Sequence, residues 1–429
     1  MSDSPAATTA NDTQTETEPH IARVQRRTMT VLVITQVVGT VGVGVAPSIG
    51  VLLAGAVTDN EAWAGLARTA STLGAALLGL PLGNLAARFG RRFALASGWW
   101  TAAIGSALLV ASAQANLVVP LFIGLLLIGA GSATSLQARF AATDLAAASH
   151  KGRSLALIVW VGTIGSVLGP NLGVPGEIIS RGTGLTVYAS AFLITTACLA
   201  LAGLIVFACL RPDPLILLAC ATSAPAVTGK KSGRIRRILA ELKVNRAARY
   251  AVFAILTAQI VMVSIMTMTP VHIAHEGGSI TIVGITISLH VVGMYALSPV
   301  VGVFADRCGH RASISVGIAI FLVSLVIGIV KPDDIVWIVV SLILLGLGWS
   351  FMNVAASALF SGTISDETRA SSQGGVDAIS NLCGATAAFA AGPLLAASSF
   401  SMLSALAIIV LVPITVLTVR SRGLVLPPA

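Results

Sequence analysis

Long apolar stretches recur along almost the whole chain, and no other feature constrains its fold as strongly. A helix needs about 20 apolar residues to cross the hydrocarbon core of a bilayer. Only 10% of the residues are charged, whereas soluble domains carry about a quarter. The sequence therefore excludes a soluble globular protein, a disordered chain and a coiled coil, and it predicts an all-α polytopic membrane protein. We predict twelve membrane-crossing helices, numbered below as spans 1 to 12, at residues 29–56, 62–87, 93–113, 117–145, 154–178, 186–209, 250–271, 280–304, 312–330, 336–361, 373–397 and 400–419.

The basic residues predict the orientation of the chain. All but four of the 26 Lys and Arg residues lie in the two tails or in alternate loops; the exceptions are Arg68, Arg139, Arg181 and Lys331. An excess of Lys and Arg marks the cytoplasmic face, so we expect both termini in the cytoplasm. The composition, rich in glycine and alanine, suggests a location in a plasma membrane, specifically a bacterial inner membrane. The net charge of +9 then reflects topology, and we expect no nucleic-acid partner.

The longest charged loop divides the chain into two halves of six spans each. Within this loop, the apolar positions of residues 235–242 follow the spacing of an amphipathic helix lying on the membrane; a solvated basic segment that only sets topology is the alternative. We expect a disordered cytoplasmic tail at 1–28, a six-helix bundle at 29–210, a cytoplasmic central loop at 211–249, a second six-helix bundle at 250–420 and a cytoplasmic tail at 421–429.

The two halves match each other in sequence. At a constant offset of 219, five glycines of the first half fall on five of the second: Gly65, Gly74, Gly83, Gly90 and Gly98 on Gly284, Gly293, Gly302, Gly309 and Gly317. At an offset of 223, Gln36 falls on Gln259 and the dipeptide Gly169-Pro170 on Gly392-Pro393. Internal repeats around a site at the bilayer midplane are typical of secondary transporters. We therefore predict two bundles related by a pseudo-two-fold axis, each made of two inverted three-helix repeats, with a cavity between them.

The turns after spans 2 and 8 carry one motif twice. In each turn the first glycine lets helices approach closely, the second permits a chain reversal, and the basic residues hold the loop at the cytoplasmic face. The residues are Gly83, Arg88, Gly90, Arg91 and Arg92 in the first copy, and Gly302, Asp306, Arg307, Gly309 and Arg311 in the second.

This doubled motif resembles the signature loop of the major facilitator superfamily. Together with the twelve spans and the central loop, the resemblance covers essentially the whole chain, and it implies the fold of that superfamily and a transported small molecule. It also implies that the acidic residue of the loop docks on a neighbouring helix end and helps to lock the outward-facing state. The first copy has Ala87 at this place, and only Asp306 keeps the acid. For Arg91 and Arg92, a role in topology and folding alone is the alternative.

Span 5 carries a glycine pattern that bears on the direction of transport. Gly165, Gly169, Pro170 and Gly173 resemble the G-x-x-x-G-P-x-x-G motif of antiporters in the same superfamily, chiefly drug exporters. We expect a kinked face that packs against the opposite half and seals it against leak. Ordinary packing of small residues between helices is the alternative.

Two charged residues inside the predicted spans suggest the coupling site. Arg139 lies near the end of span 4 and Asp377 near the start of span 11, at a similar depth from the same face. A charge within the bilayer is costly and needs a functional or structural reason. We hypothesise that Asp377 is the protonatable carboxylate and that Arg139 is its partner or part of the substrate site. A static ion pair that closes the cytoplasmic gate is the alternative.

Two further ionisable residues lie within the predicted spans. His290, in the middle of span 8, is a candidate for a second titrating group, and a packed histidine bonded to a neighbouring helix is the alternative. We expect Arg68 to lie on the outer side of span 2 and to pair with Glu61 or Glu177.

Amides are the main polar groups available in the spans that line the predicted cavity. They favour substrates that are neutral or weakly charged and partly apolar, unless they only hold helices together. The residues are Gln36, Gln137, Asn171, Gln259, Asn353 and Asn381.

No enzyme motif is present, so we expect no catalytic residues, no metal and no cofactor, and an ion gradient as the energy source. The function we favour is proton-coupled efflux of small apolar or drug-like molecules by a monomer in the lipid bilayer. One alternative is a proton-driven uptake symporter for a small metabolite. An alternative of another class is a non-transporting membrane sensor or scaffold.

Overall fold

The computed structural model describes residues 6–60, 62–146, 150–222, 245–364 and 366–420. Over these ranges the protein is all-helical. Twelve helical segments are long and apolar enough to cross a membrane, which confirms the predicted fold class. The α-helices are Ala6–Val43, Val51–Thr58, Ala62–Phe89, Arg91–Ala115, Val118–Ala141, Lys151–Leu168, Gly173–Thr183, Val187–Cys209, Pro214–Thr222, Arg246–His275, Ile280–Tyr295, Ser298–Cys308, His310–Val330, Ile335–Thr363, Asp366–Ala397 and Phe400–Arg420.

Three spans are interrupted at a proline. Span 1 passes through a π-helical turn at Ala46–Gly50, which contains Pro47, and span 5 through a 3-10 turn at Gly169–Leu172, which contains Pro170. Span 8 is broken just before Pro299. The proline ring removes one backbone donor and clashes with the preceding turn of a helix. These three spans therefore bend within the bilayer.

The ends of the chain differ from expectation in their extent. The helix of span 1 begins at Ala6, inside the segment predicted as a disordered tail. Residues 6–20 include five threonines and Pro19, which are poor helix formers, so intrinsic propensity does not account for this extension. The described part of the central loop begins with the helix Pro214–Thr222. The predicted amphipathic segment at 235–242 and the tail at 421–429 lie outside the described residues.

Hydrogen bonds at one membrane face tie the starts of odd-numbered spans to the ends of even-numbered ones. Gln25 Nε2 donates to the carbonyl oxygen of Ala142 at 2.8 Å, and Asn245 Nδ2 donates to that of Thr363 at 2.9 Å. Span 1 begins and span 12 ends at this face, which is called the terminal face below. The opposite face is called the distal face.

The sequence repeats correspond to equivalent positions in the two bundles. Gly90 and Gly309 both have positive φ, +88° and +90°, at the reversals after spans 2 and 8. Gly74 faces the backbone of span 4, and its counterpart Gly293 faces the backbone of span 10. Within a bilayer the hydrophobic effect does not drive helices together, so close approaches of this kind stabilise helix packing through van der Waals contacts. Bundle 1 (spans 1–6) and bundle 2 (spans 7–12) thus repeat the same packing.

Candidate functional site

The two bundles meet first where span 2 crosses span 11. A methyl group placed at Gly65 would overlap the carbonyl oxygen of Ala388 and would lie 3.1 Å from the backbone nitrogen of Gly392. One turn further, Thr69 Oγ1 donates to the carbonyl oxygen of Ala385 at 2.9 Å. The backbones of the two bundles are therefore in direct contact at this crossing.

Spans 5 and 8 form the second contact between the bundles. Asn171 Nδ2 donates to Ser288 Oγ at 2.6 Å, and Ser288 Oγ donates to the carbonyl oxygen of Val167 at 2.6 Å. A methyl group at Gly284 would lie 2.7 Å from the carbonyl oxygen of Pro170. Asn171, predicted to line the cavity, thus joins the bundles.

These two crossings are related by the internal repeat. Gly65 and Gly284 are counterparts at the offset of 219, and Gly392-Pro393 is the counterpart of Gly169-Pro170 at the offset of 223. In each crossing, a glycine from one repeat faces the Gly-Pro segment of another. Both lie in the distal half, so the structure is a state closed at the distal face.

Removing the hydroxyl of Ser288 should weaken this closure. We expect Ser288→Ala to lose two hydrogen bonds between bundles at about 1 kcal/mol each, and so to raise the ratio of distal-open to distal-closed molecules up to about thirtyfold. Spin labels on cysteines placed at Gly182 and Asp333, exposed at the distal ends of the two bundles, would report the change in distance. Ser315→Ala, which removes a bond within one helix, is the matched control. An unchanged distance distribution would contradict the assignment.

Bundle 2 contributes an aromatic pair to the central region. The rings of Tyr295 and Trp349 meet edge to face with centroids 5.7 Å apart. Trp349 Nε1 donates to Gln259 Oε1 at 3.1 Å, while Gln259 Nε2 faces Gly384 on span 11. The predicted cavity amide Gln259 therefore holds the indole of Trp349 in place.

Arg68 reaches this central region instead of the outer side of span 2. Its neighbour Thr69 bonds to Ala385, which lies about 12 residues, or about 18 Å, from the distal end of the span 11 helix. Arg68 therefore begins at about this depth. Arg68 lies within electrostatic range of Tyr295 and His290. The expected pairing is not formed with Glu177, which has no ion pair among the described residues, and Glu61 lies outside them.

Arg139 and Asp377 face each other across the gap between the bundles. Arg139 lies within electrostatic range of Asp377 and of Tyr295, and its Nε is buried without a hydrogen-bond partner. Asp377 is exposed, and the described residues contain no ion pair between it and Arg139. Space therefore separates the bundles at this depth, about 12 Å nearer the terminal face than Ala385. Asp377 is therefore accessible on the terminal side of the two crossings.

His290 is fully buried against span 10. Its Nδ1 lies 2.7 Å from the carbonyl oxygen of Leu342, and its Nε2 has no hydrogen-bond partner among the described residues. Because a carbonyl only accepts, Nδ1 carries the proton, and Nε2 is left as a free acceptor. The bond to the neighbouring helix matches the packed-histidine alternative, while the unpartnered nitrogen keeps His290 a candidate for proton binding.

The other predicted cavity amides divide into two groups. Gln36 Nε2 donates to Ser135 Oγ at 2.5 Å, and Gln137 accepts from Arg91 Nη1 at 3.2 Å, so both tie helices within bundle 1. Asn353 is half-buried and Asn381 is exposed one turn beyond Asp377, and neither bonds to a described residue. Their side chains remain available to a ligand.

The glycine face of span 5 packs mainly within its own bundle. Methyl groups at Gly165 and Gly169 would each lie 2.6 Å from backbone oxygens of span 1. Gly173 alone of the motif's glycines faces the opposite half, where Ile280 of span 8 lies next to it. The expectation that this face packs against the opposite bundle is therefore wrong for Gly165 and Gly169, because span 1 occupies that side.

The first signature loop is held by two aspartates that lie outside it. Arg91 makes a bidentate ion pair with Asp144 at 2.8 and 3.2 Å. The backbone N–H of Arg92 donates to Asp213 Oδ2 at 2.7 Å, and its guanidinium lies over the ring of Phe207. Asp213 also accepts from Leu215 N at 3.0 Å and so caps the following helix. Asp213 thus supplies a carboxylate to a loop in which Ala87 replaces the acidic residue of the motif.

The second signature loop is more open. Arg311 Nε donates to the carbonyl oxygen of Thr418 at 2.9 Å. Asp306 and Arg307 are exposed, as is Arg88 in the first loop, and a methyl group at Gly302 would meet no atom within 4 Å. Asp306 bonds to no described residue in this distal-closed state.

The ion pair of the first loop should contribute measurably to stability. The side chains of Arg91 and Asp144 are only 13% and 10% exposed, and removing one partner of a buried pair costs about 3 kcal/mol. We expect Asp144→Ala to lower the free energy of unfolding by about this amount, measured by chemical denaturation in detergent. Asp306→Ala, at an exposed unpaired carboxylate, should change it by less than about 0.5 kcal/mol. Equal losses in both variants would contradict the assignment.

The comparison with known families agrees with this architecture. The sequence pattern of the Major Facilitator Superfamily matches residues 32–277, which include bundle 1, and again residues 251–428, which include bundle 2. The chain belongs to the Major Facilitator Superfamily. This superfamily member is accordingly a secondary transporter of a small molecule and a multi-pass membrane protein, and it is not an enzyme.

Two relatives match this chain over nearly its full length. The chain is 36% identical over 402 residues to the uncharacterized MFS-type transporter YdeG of Bacillus subtilis, covering 93% of this chain and 92% of the relative. It is 27% identical to the riboflavin transporter RfnT of Brucella anthropi, covering 94% and 98%. The fold is similar to the crystal structure of the nucleoside transporter NupG, with a TM-score of 0.69, 15% identity and coverage of 92% and 98%.

Sequence reasoning missed several residues of the site. Tyr295 and Trp349 are aromatic residues within apolar spans and carry no signal that separates them from core residues. The charge of Arg68 is visible in the sequence, but the direction of its long side chain is not. Ser288 is likewise one of many serines in the spans. Only the tertiary packing brings these side chains to the interface between the bundles.

Proposed function

We propose that this transporter exports small apolar or drug-like molecules in exchange for protons, with the terminal face in the cytoplasm and the protein in the plasma membrane. The observation that carries the proposal is the pair of opposite charges, Arg139 and Asp377, that face each other unpaired across the gap between the bundles. Each charge belongs to a different bundle. Rocking of the bundles therefore changes the distance between them and, with it, the affinity of Asp377 for a proton.

The proposed cycle uses two states. In the distal-closed state, Asp377 is exposed toward the terminal face, where it releases its proton and the substrate binds in the central cavity. The bundles then rock, the substrate leaves at the distal face, and Asp377 takes up a proton from that side. Proton and substrate compete, so the proton gradient drives export. The cycle needs no cofactor and operates in a monomer.

Two further observations support the choice of substrate and direction. The Gly165–Gly173 segment resembles the motif of proton-coupled exporters. The relative named for riboflavin and the structural neighbour named for nucleosides indicate that this fold accommodates ring-containing molecules. The aromatic pair Tyr295 and Trp349 provides a surface for such a ring.

Inside-out vesicles test the direction and the coupling together. The vesicles are energised to an acidic lumen, and hydrophobic antibiotics and dyes are added one at a time while the lumenal pH is recorded. Export by antiport predicts that a substrate raises the lumenal pH, and vesicles without the protein are the control.

The alternative functions give different results in the same assay. A proton-driven uptake symporter would show no rise in lumenal pH, and cells lacking the protein would grow poorly on its metabolite rather than become sensitive to a toxin. A sensor or scaffold would move neither protons nor radiolabelled substrate. Either outcome would overturn the proposal.

A further inference from the structure

The central region between the bundles contains two arginines that have no ion-pair partner among the described residues. These residues, Arg68 and Arg139, each carry five N–H donors. Arg139 Nε is buried and has no acceptor among the described residues. An arginine donor left without a partner away from water is costly. An acceptor oxygen on a bound molecule would satisfy this donor.

The two arginines bracket the aromatic pair. Tyr295 lies within electrostatic range of both Arg68 and Arg139, which come from spans 2 and 4 of the opposite bundle. Its ring meets Trp349, whose indole N–H is already occupied by Gln259. Trp349 therefore offers ring surface rather than a donor. A ring that packs against this pair would carry its substituents toward the arginines.

Charge at the site also discriminates between substrates. Two positive charges, Arg68 and Arg139, stand against one carboxylate, Asp377, among the groups described above. A cation would meet net repulsion, and protonation of Asp377 would increase it. An oxygen acceptor, whether the carbonyl of a neutral molecule or a carboxylate, would be attracted.

We infer that the central site selects aromatic molecules that present oxygen acceptors to Arg68 and Arg139, and that it rejects lipophilic cations. This inference rests on the proposed function for its cavity, and it narrows the drug-like substrates to one chemical class. The acceptor oxygen binds the guanidinium groups, and the ring packs on Tyr295 and Trp349. A donor on the same molecule is then left to meet Asp377, in competition with the proton.

Binding to the purified full-length protein tests the inference without a proton gradient. The probes share one ring system: 2-naphthoate, 2-naphthamide and 2-naphthylmethylammonium, with cyclohexanecarboxylate as the non-aromatic counterpart. Equilibrium dialysis gives each Kd. We expect at least one of the two oxygen-bearing naphthalenes to bind about tenfold or more tightly than the ammonium compound, and the cyclohexane analogue to bind more weakly than naphthoate.

Variants assign the preference to the two arginines. Arg68→Gln and Arg139→Gln should each weaken binding of the preferred probe about tenfold or more, the range of a hydrogen bond to a charged group. Arg68→Lys keeps the charge and should retain part of the affinity, which separates a binding role from misfolding. Arg181→Gln, at an exposed arginine on the distal end of span 5, is the matched control and should not change the Kd.

The outcomes separate this inference from the proposed function. Equal or tighter binding of the ammonium compound, or binding of no probe at millimolar concentration, would overturn the inference. Binding of naphthoate or naphthamide without any rise in lumenal pH would leave the inference standing and overturn proton-coupled export. A strong preference for naphthoate over naphthamide, with protons moving together with the anion, would support the inference and reverse the proposed direction.

Discussion

Asp377→Asn is expected to abolish the substrate-driven rise in lumenal pH in energised inside-out vesicles. The amide keeps the size and an acceptor oxygen of the carboxylate but cannot bind a proton, so substrate binding persists while its exchange for protons is lost. We expect the rate of proton release to fall at least about tenfold. Substrate binding, which in the wild type weakens as pH falls and Asp377 becomes protonated, should become independent of pH in the variant.

A control substitution tests whether the loss of proton release is specific to Asp377. Asp333 is exposed in the loop between spans 9 and 10 at the distal face, and Asp333→Asn changes the same charge with no expected effect on proton release. If Asp377→Asn releases protons at the wild-type rate, Asp377 is not the coupled group. His290, buried with an unpartnered Nε2, would then be replaced by glutamine in the same assay.

Gly65→Ala is expected to hold the transporter open at the distal face. The added methyl group would overlap the carbonyl oxygen of Ala388, a backbone atom that cannot rotate away. Overpacking of this kind costs about 1–3 kcal/mol, and the cost applies only in the distal-closed state, where spans 2 and 11 touch. The ratio of open to closed molecules should rise between about fivefold and a hundredfold, with a matching loss of transport.

Spin-label distances between the two distal faces measure this shift directly. Gly55→Ala, in span 1 at the same face, meets no atom within 4 Å and is the matched control. Gly284→Ala tests the repeat-related crossing, where the methyl group would lie 2.7 Å from the carbonyl oxygen of Pro170. It should act in the same direction as Gly65→Ala. Normal distances and normal transport in Gly65→Ala would show that the crossing of spans 2 and 11 accommodates the methyl group, and would contradict the prediction.

The two predictions test separate parts of the mechanism. The Gly65 variant tests alternating access and makes no reference to protons or to the direction of transport. The Asp377 variant tests coupling and leaves the rocking motion intact. If only the Gly65 prediction fails, the bundles move at another crossing. If only the Asp377 prediction fails, another residue is the proton site.

The fold and its internal symmetry were predictable from the sequence because their signals are local. A span is recognised from about 20 consecutive apolar residues, and the repeat is recognised from glycines such as Gly65 and Gly284 at a fixed offset. Gly90 and Gly309 were also predictable, since a turn that needs positive φ favours glycine wherever it occurs. Each of these features can be read from the order of residues along the chain, without knowing which helices pack together.

Only the tertiary structure decided which side chains meet between the bundles. Arg68 extends to the centre rather than to Glu177, Asp213 joins a loop more than 100 residues earlier in the chain, and Gly169 packs on span 1 instead of the opposite bundle. Each of these contacts depends on the rotation and depth of two helices relative to each other. Hydropathy specifies that a helix crosses the membrane, but rotation and depth are set by packing against neighbouring helices, so the site becomes visible only once the bundles are assembled.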